Sequence, residues 1–405
     1  MKKVRIIGAG MDPWNMPEGF NDLIYGADIL VAGGRFLALF QDFKGEAIPV
    51  KGDLDKVFKR IEEEADRDRE VVVLADGDPL FFGIGRRLMD FLGKDRVEFH
   101  PNVTTLQVAA SLLKIPWEDI RTVSLHGRKD IRPLLRALAF SDRVGVYTGD
   151  AQGPALVARV LRDRGIETFA MTVLEDLCRE GQKVREVSLE EAEKLQFSHL
   201  NFLLLRRVRQ PEIPLGLGIE DDSYVHERGM ITKREIRVVA LALMRVRPGN
   251  TVWDLGAGCG SVAIEASCFS REGRVYAVEK DRERAQQIGE NIRRTGAYGV
   301  EVVEGTMPGC LVSLPDPDRV FLGGGLRHGQ EILEPVAERL RPGGRMVVNA
   351  VLMGSLWQVK GYLETLKWPF GITQVHVARS RETSGDLRLE GLNPVFVLSA
   401  QKPKD

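Results

Sequence analysis

A glycine-rich turn is the part of this 405-residue sequence whose residue types and spacing best suit the binding of a cofactor. It follows the predicted strand 251–255 and reads Gly256-Ala257-Gly258-Cys259-Gly260. Glycine lets the backbone approach a ligand where a side chain would collide, and the free N–H groups of the helix that follows favour an anionic group. Glu279 lies roughly 20 residues further on, where a carboxylate can hold both hydroxyls of a ribose. The pattern therefore predicts a site for a nucleoside-containing cofactor.

The spacing of the glycines distinguishes between two cofactors. A dinucleotide-binding turn reads G-x-G-x-x-G, whereas the third glycine of this turn comes one residue early and Ser261 stands at the dinucleotide position. Asp254 also precedes the first glycine by two residues. This arrangement resembles motif I of the class I methyltransferases, in which the turn receives the methionine moiety of S-adenosylmethionine. A nicotinamide site and a structural turn without a ligand remain alternatives.

A second chemical signal lies in the first half of the chain. The segment Asp76-Gly77-Asp78-Pro79 follows the apolar run 71–74 and precedes a helical stretch. Gly-Asp-Pro alone predicts only a tight turn. Its context is more informative, because the segment 101–105 with its two threonines follows after a helix, a turn and a strand.

Short apolar strands alternate with helices in both halves, which indicates α/β layers. In the first half, strands are predicted at 4–7, 71–74, 144–147 and 202–205, with helices at 53–65 and 133–140. In the second half, a helix at 233–246 precedes strands at 251–255, 274–278, 301–303, 319–322, 346–349, 372–378 and 394–399. This order predicts a doubly wound parallel sheet with a late antiparallel hairpin.

The segment 206–216 is basic, carries two prolines and a glycine, and has no periodic apolar face. It predicts a boundary between a domain at 1–208 and a domain at 216–405. No sequence repeat relates the two halves, so two different folds are expected. One large domain with a surface loop at this point is the alternative.

The second half resembles the CbiT-type corrin methyltransferases over nearly all of residues 216–400. Besides the glycine-rich turn, the resemblance is carried by the stretches 218–224, 231–233, 247–249, 278–281, 304–305, 321–324 and 341–344. It implies a class I Rossmann-like methyltransferase that methylates C15 of a corrin precursor and decarboxylates the C12 acetate. It also implies self-association, because the CbiT-type family forms tetramers. Met230 and Cys259 depart from the family pattern, where proline and threonine are usual.

The resemblance adds further cofactor contacts to the turn. Thr232 approaches the cofactor in this family, and Thr232 to Glu235 also reads as a capping box at the start of a helix. Three residues that follow a strand end would border the adenine through backbone groups, namely Gly305, Thr306 and Met307. A plain surface turn is the alternative for these three.

The first half resembles the tetrapyrrole methylase family over residues 3–205, in which the cofactor lies between two α/β lobes. Its stretches 77–85 and 124–128 are similar to those of the CbiE branch, which methylates C5. The resemblance places the cofactor cleft at Asp76, Gly77, Asp78, Phe81, Thr104, Thr105 and Thr148. Asp78 as a mere turn cap is the alternative. Many family members begin with Gly-x-Gly-Pro-Gly, from which the segment 8–13 departs.

The order of the two resemblances matches the fused C5,15-methyltransferases of cobalamin biosynthesis. We therefore expect an N-terminal tetrapyrrole methylase fold of two α/β lobes followed by a C-terminal class I methyltransferase. The implied enzyme binds one S-adenosylmethionine per domain, two per chain. It converts a precorrin-6 type macrocycle, with or without cobalt, to precorrin-8X or its cobalt form.

Methyl transfer from a sulfonium requires positioning and desolvation more than a side-chain nucleophile. The sequence contains neither G-x-S-x-G nor H-E-x-x-H, and no catalytic nucleophile or metal ligand set is predicted. The substrate carries several carboxylates, so cationic anchors should surround it. The candidates are Arg35, Arg128, Arg228, Lys233, Arg327 and His328.

Composition excludes several other classes of protein. The chain has 57 Lys and Arg against 58 Asp and Glu, so it lacks the basic excess of proteins that coat nucleic acids. Its four cysteines show no C-x-x-C spacing, which indicates a reducing compartment. We expect no membrane partner and a cytoplasmic location, because we find no signal peptide and no apolar run long enough to span a bilayer.

Three rival functions remain at this point. A nucleic-acid methyltransferase would need a stacking aromatic for a flipped base, and residues 321–324 read Phe-Leu-Gly-Gly rather than N/D-P-P-Y/F. A protein that binds S-adenosylmethionine with one inactive lobe would bind fewer cofactors or give one product. A nicotinamide oxidoreductase would bind NADH.

Overall fold

The computed structural model describes residues 2–11, 16–127, 130–149, 152–227, 229–324 and 329–404. The chain forms two compact units. The first unit comprises residues 1–129, 142–162 and 170–206, and the second comprises residues 130–141, 163–169 and 207–405.

The first half of the chain alternates strands and helices as the apolar runs predict. Its elements are β1 (Val4–Gly8), α1 (Glu18–Tyr25), β2 (Ile29–Ala32), α2 (Gly34–Leu37), β3 (Glu46–Pro49), α3 (Leu54–Asp66), β4 (Val71–Ala75), α4 (Gly85–Leu92), β5 (Val97–His100), α5 (Thr105–Leu113), β6 (Arg121–Ser124), α6 (Arg132–Phe140), β7 (Arg143–Tyr147), α7 (Pro154–Asp163), β8 (Phe169–Glu175), β9 (Lys183–Val187), α8 (Leu189–Lys194) and β10 (Asn201–Arg207).

Two five-stranded sheets organise these elements. The first has the order β3-β2-β4-β1-β5 with parallel pairings throughout. The second has the order β6-β7-β10-β8-β9 and mixes parallel and antiparallel pairs. All five residues of β4 are buried, as expected for an inner strand of a parallel sheet with both faces covered. The carboxyl ends of β1 and β4 therefore lie side by side, and both lead into glycine-containing turns.

The second half forms a doubly wound sheet. Its elements are α9 (Arg234–Met244), β11 (Thr251–Leu255), α10 (Ser261–Ser267), β12 (Arg274–Glu279), α11 (Arg282–Thr295), β13 (Val300–Glu304), β14 (Arg319–Leu322), α12 (Gly329–Arg339), β15 (Arg345–Ala350), α13 (Met353–Thr365), β16 (Phe370–Val375), β17 (Ala378–Thr383), β18 (Asp386–Gly391) and β19 (Val395–Gln401).

The sheet of the second half has the order β13-β12-β11-β14-β15-β19-β16. Strand β19 runs antiparallel to both neighbours, and the other pairings are parallel. Side chains of β11 alternate between two apolar clusters, because Trp253 and Leu255 pack on one face and Val252 on the other. The predicted α/β fold class with its late antiparallel strands is confirmed.

Two local predictions were wrong. Residues 372–378 do not form one strand, because β16 ends at Val375 and the chain turns away to pair β17 with β18 in a separate hairpin. An apolar run cannot reveal which partner a strand will take. The capping box at Thr232 is also absent: helix α9 begins at Arg234, and its N-cap Lys233 forms no side-chain cap. Asp221 Oδ1 instead accepts the N–H of Arg234 at 2.9 Å.

In the described part of the chain, the helices are too short or too polar to cross a lipid bilayer.

Candidate functional site

The glycine-rich turn after β11 leaves open space beside one of its three glycines. All three have positive φ, at +69°, +59° and +79° for Gly256, Gly258 and Gly260. A Cβ on Gly260 would lie 2.7 Å from Ile288, and one on Gly256 would lie 3.2 Å from Gly324. A Cβ on Gly258 would meet only the carbonyl oxygen of Met230, at 3.9 Å. The outer glycines therefore permit close packing, whereas Gly258 borders the space in which a ligand would lie.

Glu279, at the end of β12, is held against this turn. Its Oε2 accepts the N–H of Gly258 at 2.9 Å. Its Oε1 accepts the N–H groups of Lys280 and Asp281, both at 3.1 Å, and lies 3.3 Å from an Arg284 nitrogen. The carboxylate is buried, and these donors fix its orientation beside the turn.

Asp254 is a buried acid directly beneath the turn. Its Oδ2 accepts the N–H of Ala263 at 2.9 Å, while its Oδ1 has no hydrogen-bond partner among the described residues. Burial, and then the negative charge of Glu279, raise the pKa of Asp254 to about 7. A buried acceptor without a donor is costly, so this oxygen marks a place where a donor from a ligand would be stabilised.

The turn after β13, which carries Gly305, Thr306 and Met307, is adjacent to Glu279. The N–H of Gly305 donates to the carbonyl oxygen of Glu279 at 3.0 Å, and the carbonyl of Thr306 accepts the N–H of Cys310 at 3.2 Å. Met307 is partly buried and packs against the core of the second unit. The structure thus brings Gly305 to the same edge of the sheet as the glycine-rich turn.

Asn291, on α11, is a site residue that the sequence reasoning missed. It is fully buried, and its Nδ2 donates to the carbonyl oxygens of Cys259 and Val225, both at 2.9 Å. Its Oδ1 accepts the N–H of Val225 at 2.8 Å. The side chain therefore ties the glycine-rich turn to the segment before α9. A lone asparagine in a strongly charged helix carries no sequence signal for this role.

Thr232 and Lys233 lie at the end of that same segment. The carbonyl of Thr232 accepts a hydrogen bond from Arg237 Nη1 at 2.5 Å, and Lys233 is the N-cap of α9. The carbonyl of nearby Met230 faces Gly258. The segment is thus positioned next to the turn, while Arg228, Arg327 and His328, together with Arg128 of the first half, lie outside the described residues.

In the first unit, the turn after β4 is clamped to the turn after β1. The N–H of Gly77 donates to the carbonyl of Gly10 at 3.1 Å, and the N–H of Gly10 donates back to Gly77 at 3.2 Å. A Cβ on Gly8 would lie 2.4 Å from the Gly77 oxygen, so the two turns touch. Asp78 Oδ1 accepts the N–H of Leu80 at 2.8 Å and so caps the turn.

The segment that begins α5 lies against Gly77. Thr104 is the N-cap of this helix and forms a capping box with Gln107. A Cβ on Gly77 would be 3.5 Å from the Cα of Thr104. The hydroxyl of Thr105 donates to Met11 Sδ at 3.2 Å. The predicted Gly77, Thr104 and Thr105 are therefore neighbours.

Tyr147, at the end of β7, joins the two sheets of the first unit and was missed by the sequence reasoning. Its hydroxyl oxygen accepts the N–H of Leu106 at 3.1 Å, and burial raises its pKa to about 12. Its ring lies 5.9 Å from that of Phe81, 5.5 Å from that of Phe82 and 5.1 Å from that of Phe202. Tyr147 directly precedes the predicted site residue Thr148, and this position in the sequence could have identified it as a candidate site residue.

Thr148 and Asp76 have protein partners of their own. The Thr148 hydroxyl donates to Asn201 Oδ1 at 2.6 Å and is buried. Asp76 is exposed and forms an ion pair with Arg35, whose guanidinium also lies 4.8 Å from the Phe36 ring centroid. The predicted anchor Arg35 is therefore held at the turn that carries Asp76 and Gly77.

Within the described residues, no group of three or more His, Cys, Asp or Glu side chains could hold a metal ion. The four cysteines are free thiols, and burial raises the pKa of Cys259 in the glycine-rich turn.

Comparison with known proteins gives matches for each half and for most of the chain. Residues 222–397 match the precorrin methyltransferase domain family, and residues 3–193 match the tetrapyrrole (corrin/porphyrin) methylases. A precorrin-6Y C(5,15)-methyltransferase (decarboxylating) from Sinorhizobium sp is 35% identical over 356 residues, which cover 85% of this chain and 84% of that protein.

Two further relatives match about half of the chain. A protein from Sulfolobus acidocaldarius named probable cobalt-precorrin-6B C(15)-methyltransferase (decarboxylating) is 35% identical over 188 residues, 46% of this chain and 97% of that protein. The solved structure of a precorrin-6Y C5,15-methyltransferase from Geobacter metallireducens GS-15 is 36% identical and covers 46% of this chain and 98% of its own, with a TM-score of 0.45.

Proposed function

Since the chain belongs to the family of the decarboxylating precorrin-6Y C5,15-methyltransferases, we propose that it methylates C5 and C15 of a precorrin-6 type macrocycle. The C12 acetate is decarboxylated in the same conversion, and the product is precorrin-8X or its cobalt form. We assign C5 methylation to a domain at 1–208, and C15 methylation with decarboxylation to a domain at 216–405. The assignment of C15 methylation to residues 216–405 rests on the hydrogen bond by which Glu279 is held against Gly258 of the glycine-rich turn.

S-adenosylmethionine is the proposed cofactor of both domains, two molecules per chain. It supplies a methyl group activated by a sulfonium. The second-half site suits it in two respects. Gly258 borders open space, and Oδ1 of Asp254, which has no partner within the part of the chain that the structure describes, can accept a hydrogen bond from an ammonium group. Glu279 holds the ribose hydroxyls, and Gly305, Thr306 and Met307 border the adenine.

The residues of the chain act by binding and orientation. Gly256, Ala257, Gly258, Cys259 and Gly260 place backbone groups against the cofactor, and Thr232 closes the site from the segment before α9. No side chain of the set need form a covalent bond with substrate, because the macrocycle carbon is the nucleophile and the cofactor carries the activated group. Exclusion of water and alignment of the two reactants are the protein's contribution.

In the first half, the proposed cleft lies between the two sheets. Asp76, Gly77, Asp78, Phe81, Thr104, Thr105 and Thr148 form its cofactor side, supported by the contacts of Gly77 with Thr104. Arg35 and Lys233 are proposed anchors for substrate carboxylates, with Arg128, Arg228, Arg327 and His328. An arginine can bind a carboxylate through two parallel hydrogen bonds.

The decisive experiment incubates the full chain with precorrin-6B or its cobalt form and S-adenosylmethionine, and follows the product by mass. The expected product has gained two methyl groups and lost carbon dioxide. An equilibrium titration with S-adenosylmethionine should find two sites per chain. A single site, or a product that keeps the carboxylate, would contradict the proposal, and NADH binding would support the oxidoreductase alternative.

We also propose that the protein self-associates in the cytoplasm, where its thiols stay reduced. The hairpin of β17 and β18 stands apart from the main sheet, and an isolated two-stranded hairpin is only marginally stable. Leu387 and Leu389 lie on one face of it and are exposed. Light scattering should give a smaller mass for Leu387→Ser with Leu389→Ser than for Arg388→Ser, which changes the opposite face. Equal masses would refute this use of the hairpin.

A further inference from the structure

A patch of large apolar side chains is exposed where β15 leads into α13. Val351, Leu352, Met353 and Trp357 expose 56%, 69%, 49% and 56% of their surface. The first three are consecutive, and Trp357 lies one helical turn after Met353, so their side chains adjoin. Scattered exposed apolar residues are ordinary, but contiguous ones mark binding surfaces.

This patch lies at the same edge of the sheet as the glycine-rich turn. Strand β14 separates β11 from β15, and all three are parallel, so their carboxyl ends face the same way. Gly324, just after β14, packs against Gly256 of the turn. The carboxyl ends of β11 and β15 are two strand spacings apart, a distance of about 10 Å. A ligand of moderate size resting on the patch would therefore reach a cofactor held at the turn.

Helix α13 presents one face to the core and another outward. Leu356, Val359 and Leu363 are buried in the core, which leaves Met353 and Trp357 on the outer face. One turn further, Lys360 Nζ lies 5.7 Å from the Trp357 ring centroid and forms an ion pair with Glu364. The outer face thus presents an apolar surface with a cation at its rim.

Resting on the proposed function, we infer that Val351, Leu352, Met353 and Trp357 form the platform on which the macrocycle lies for C15 methylation. Lys360 receives one of the ring carboxylates at the rim of the platform. The chemistry of the two surfaces is complementary, because the ring is flat and largely apolar on its faces and carries carboxylates around its edge. An aromatic side chain gives a flat ligand a large contact at a small entropic cost.

The test compares Trp357→Ala and Leu352→Ser with Trp117→Ala in the full-length protein. Trp117 is a matched control, since it is a tryptophan of the first unit with 49% exposure. Because the substituted side chains are exposed, far-ultraviolet circular dichroism should stay unchanged in each variant. The readouts are KM for the macrocycle in the C15 reaction at saturating S-adenosylmethionine, affinity for S-adenosylmethionine, and yield of C5-methylated product.

We expect Trp357→Ala and Leu352→Ser each to raise KM about tenfold or more, equivalent to about 1.4 kcal/mol of binding. Cofactor affinity and C5 methylation should stay at the wild-type level, and Trp117→Ala should behave as wild type. Lys360→Gln should raise KM by a smaller factor, and its KM should depend less on salt than that of the wild type.

Unchanged KM in both platform variants, or an equal rise in Trp117→Ala, would overturn the inference while leaving the proposed function intact. A change in the oligomeric mass of the platform variants with an unchanged KM would identify the patch as a protein interface, and would equally overturn it. Failure of the wild-type protein to release carbon dioxide from the macrocycle would instead overturn the proposed function.

Discussion

Arg237 and Glu265 form a fully buried ion pair, with Nε of the arginine 2.9 Å from Oε1 of the glutamate and neither side chain exposed. Glu265 belongs to α10, the helix that begins at the glycine-rich turn. Arg237 also pairs with Asp221 at 2.8 Å and donates to the carbonyl of Thr232 at 2.5 Å. One guanidinium therefore fixes the segment before α9 relative to the helix that follows the turn.

Replacement of Arg237 by leucine should strongly destabilise the second unit. It would leave Glu265 buried without its counter-charge, while Asp221 would retain its ion pair with Arg379. Removal of one partner from a buried ion pair typically costs about 3–5 kcal/mol. For a domain of this size each kcal/mol lowers the melting temperature by roughly 2–4 °C. The measurement is the melting temperature of the second unit, with thermal unfolding monitored by hydrogen–deuterium exchange of peptides from 216–405.

Arg234→Leu is the matched control for that experiment. Arg234 lies one turn earlier on the same helix and pairs with Glu220, and these two side chains are 36% and 65% exposed. An exposed ion pair contributes at most about 1 kcal/mol. Equal decreases in melting temperature in Arg237→Leu and Arg234→Leu would show that the buried ion pairs of Arg237 contribute no more to stability than an exposed pair.

The local parts of the site could be predicted from the sequence, and the long-range parts could not. The glycine-rich turn follows β11, and Glu279 ends β12, the next strand along the chain. Because adjacent parallel strands bring their carboxyl ends together, the sequence spacing already predicts that Glu279 lies beside the turn. The partners of Arg237 are different, because Asp221 also binds Arg379 of β17 at 2.9 Å across 158 residues. No local pattern links these positions, just as none links Tyr147 to Leu106.

The substitution Gly258→Arg should separate the two reactions. Its side chain would extend into the open space beside the turn, so the rates of C15 methylation and decarboxylation should fall by about 100-fold or more, while C5 methylation continues. A 100-fold loss corresponds to a rise of about 2.7 kcal/mol in the activation free energy. Asp78→Arg should abolish C5 methylation and leave the C15 reaction intact. Products are identified by mass after a single incubation with macrocycle and S-adenosylmethionine.

Gly52→Arg controls for backbone strain in that comparison. Gly52 has a φ of +70°, and a Cβ there would have nothing within 4 Å, so it imposes similar strain away from both turns. It should leave both reactions intact. Loss of both reactions from Gly258→Arg alone would refute independent sites.

Asp254 should make the stability of the second unit depend on pH. Its pKa is about 7 when folded, against a reference value of 3.8, so between these values the folded state binds more protons than the unfolded state. The free energy of unfolding therefore falls as pH rises from about 4 to about 7, by up to about 4 kcal/mol for this group. Asp254→Asn keeps the acceptor for Ala263 and removes this contribution.

Urea unfolding of the second unit at several pH values measures the effect as a difference between variant and wild type. The two proteins should be nearly equally stable near pH 4, where both side chains are neutral. The variant should be the more stable at pH 8. A difference that stays constant with pH would mean that Asp254 is already ionised in the folded protein at low pH.

Loss of the Tyr147 hydroxyl should loosen the first cleft. Its oxygen is the acceptor for the N–H of Leu106 in the first turn of α5, the helix that begins with the proposed cofactor residues Thr104 and Thr105. A buried donor left without an acceptor costs about 1–3 kcal/mol. Tyr147→Phe should therefore lower stability by this amount and raise KM for S-adenosylmethionine in C5 methylation, with C15 methylation unchanged. Tyr25→Phe, which alters an exposed tyrosine of the same unit, should change neither quantity, and equal behaviour of the two variants would show that the hydroxyl does not support the cleft.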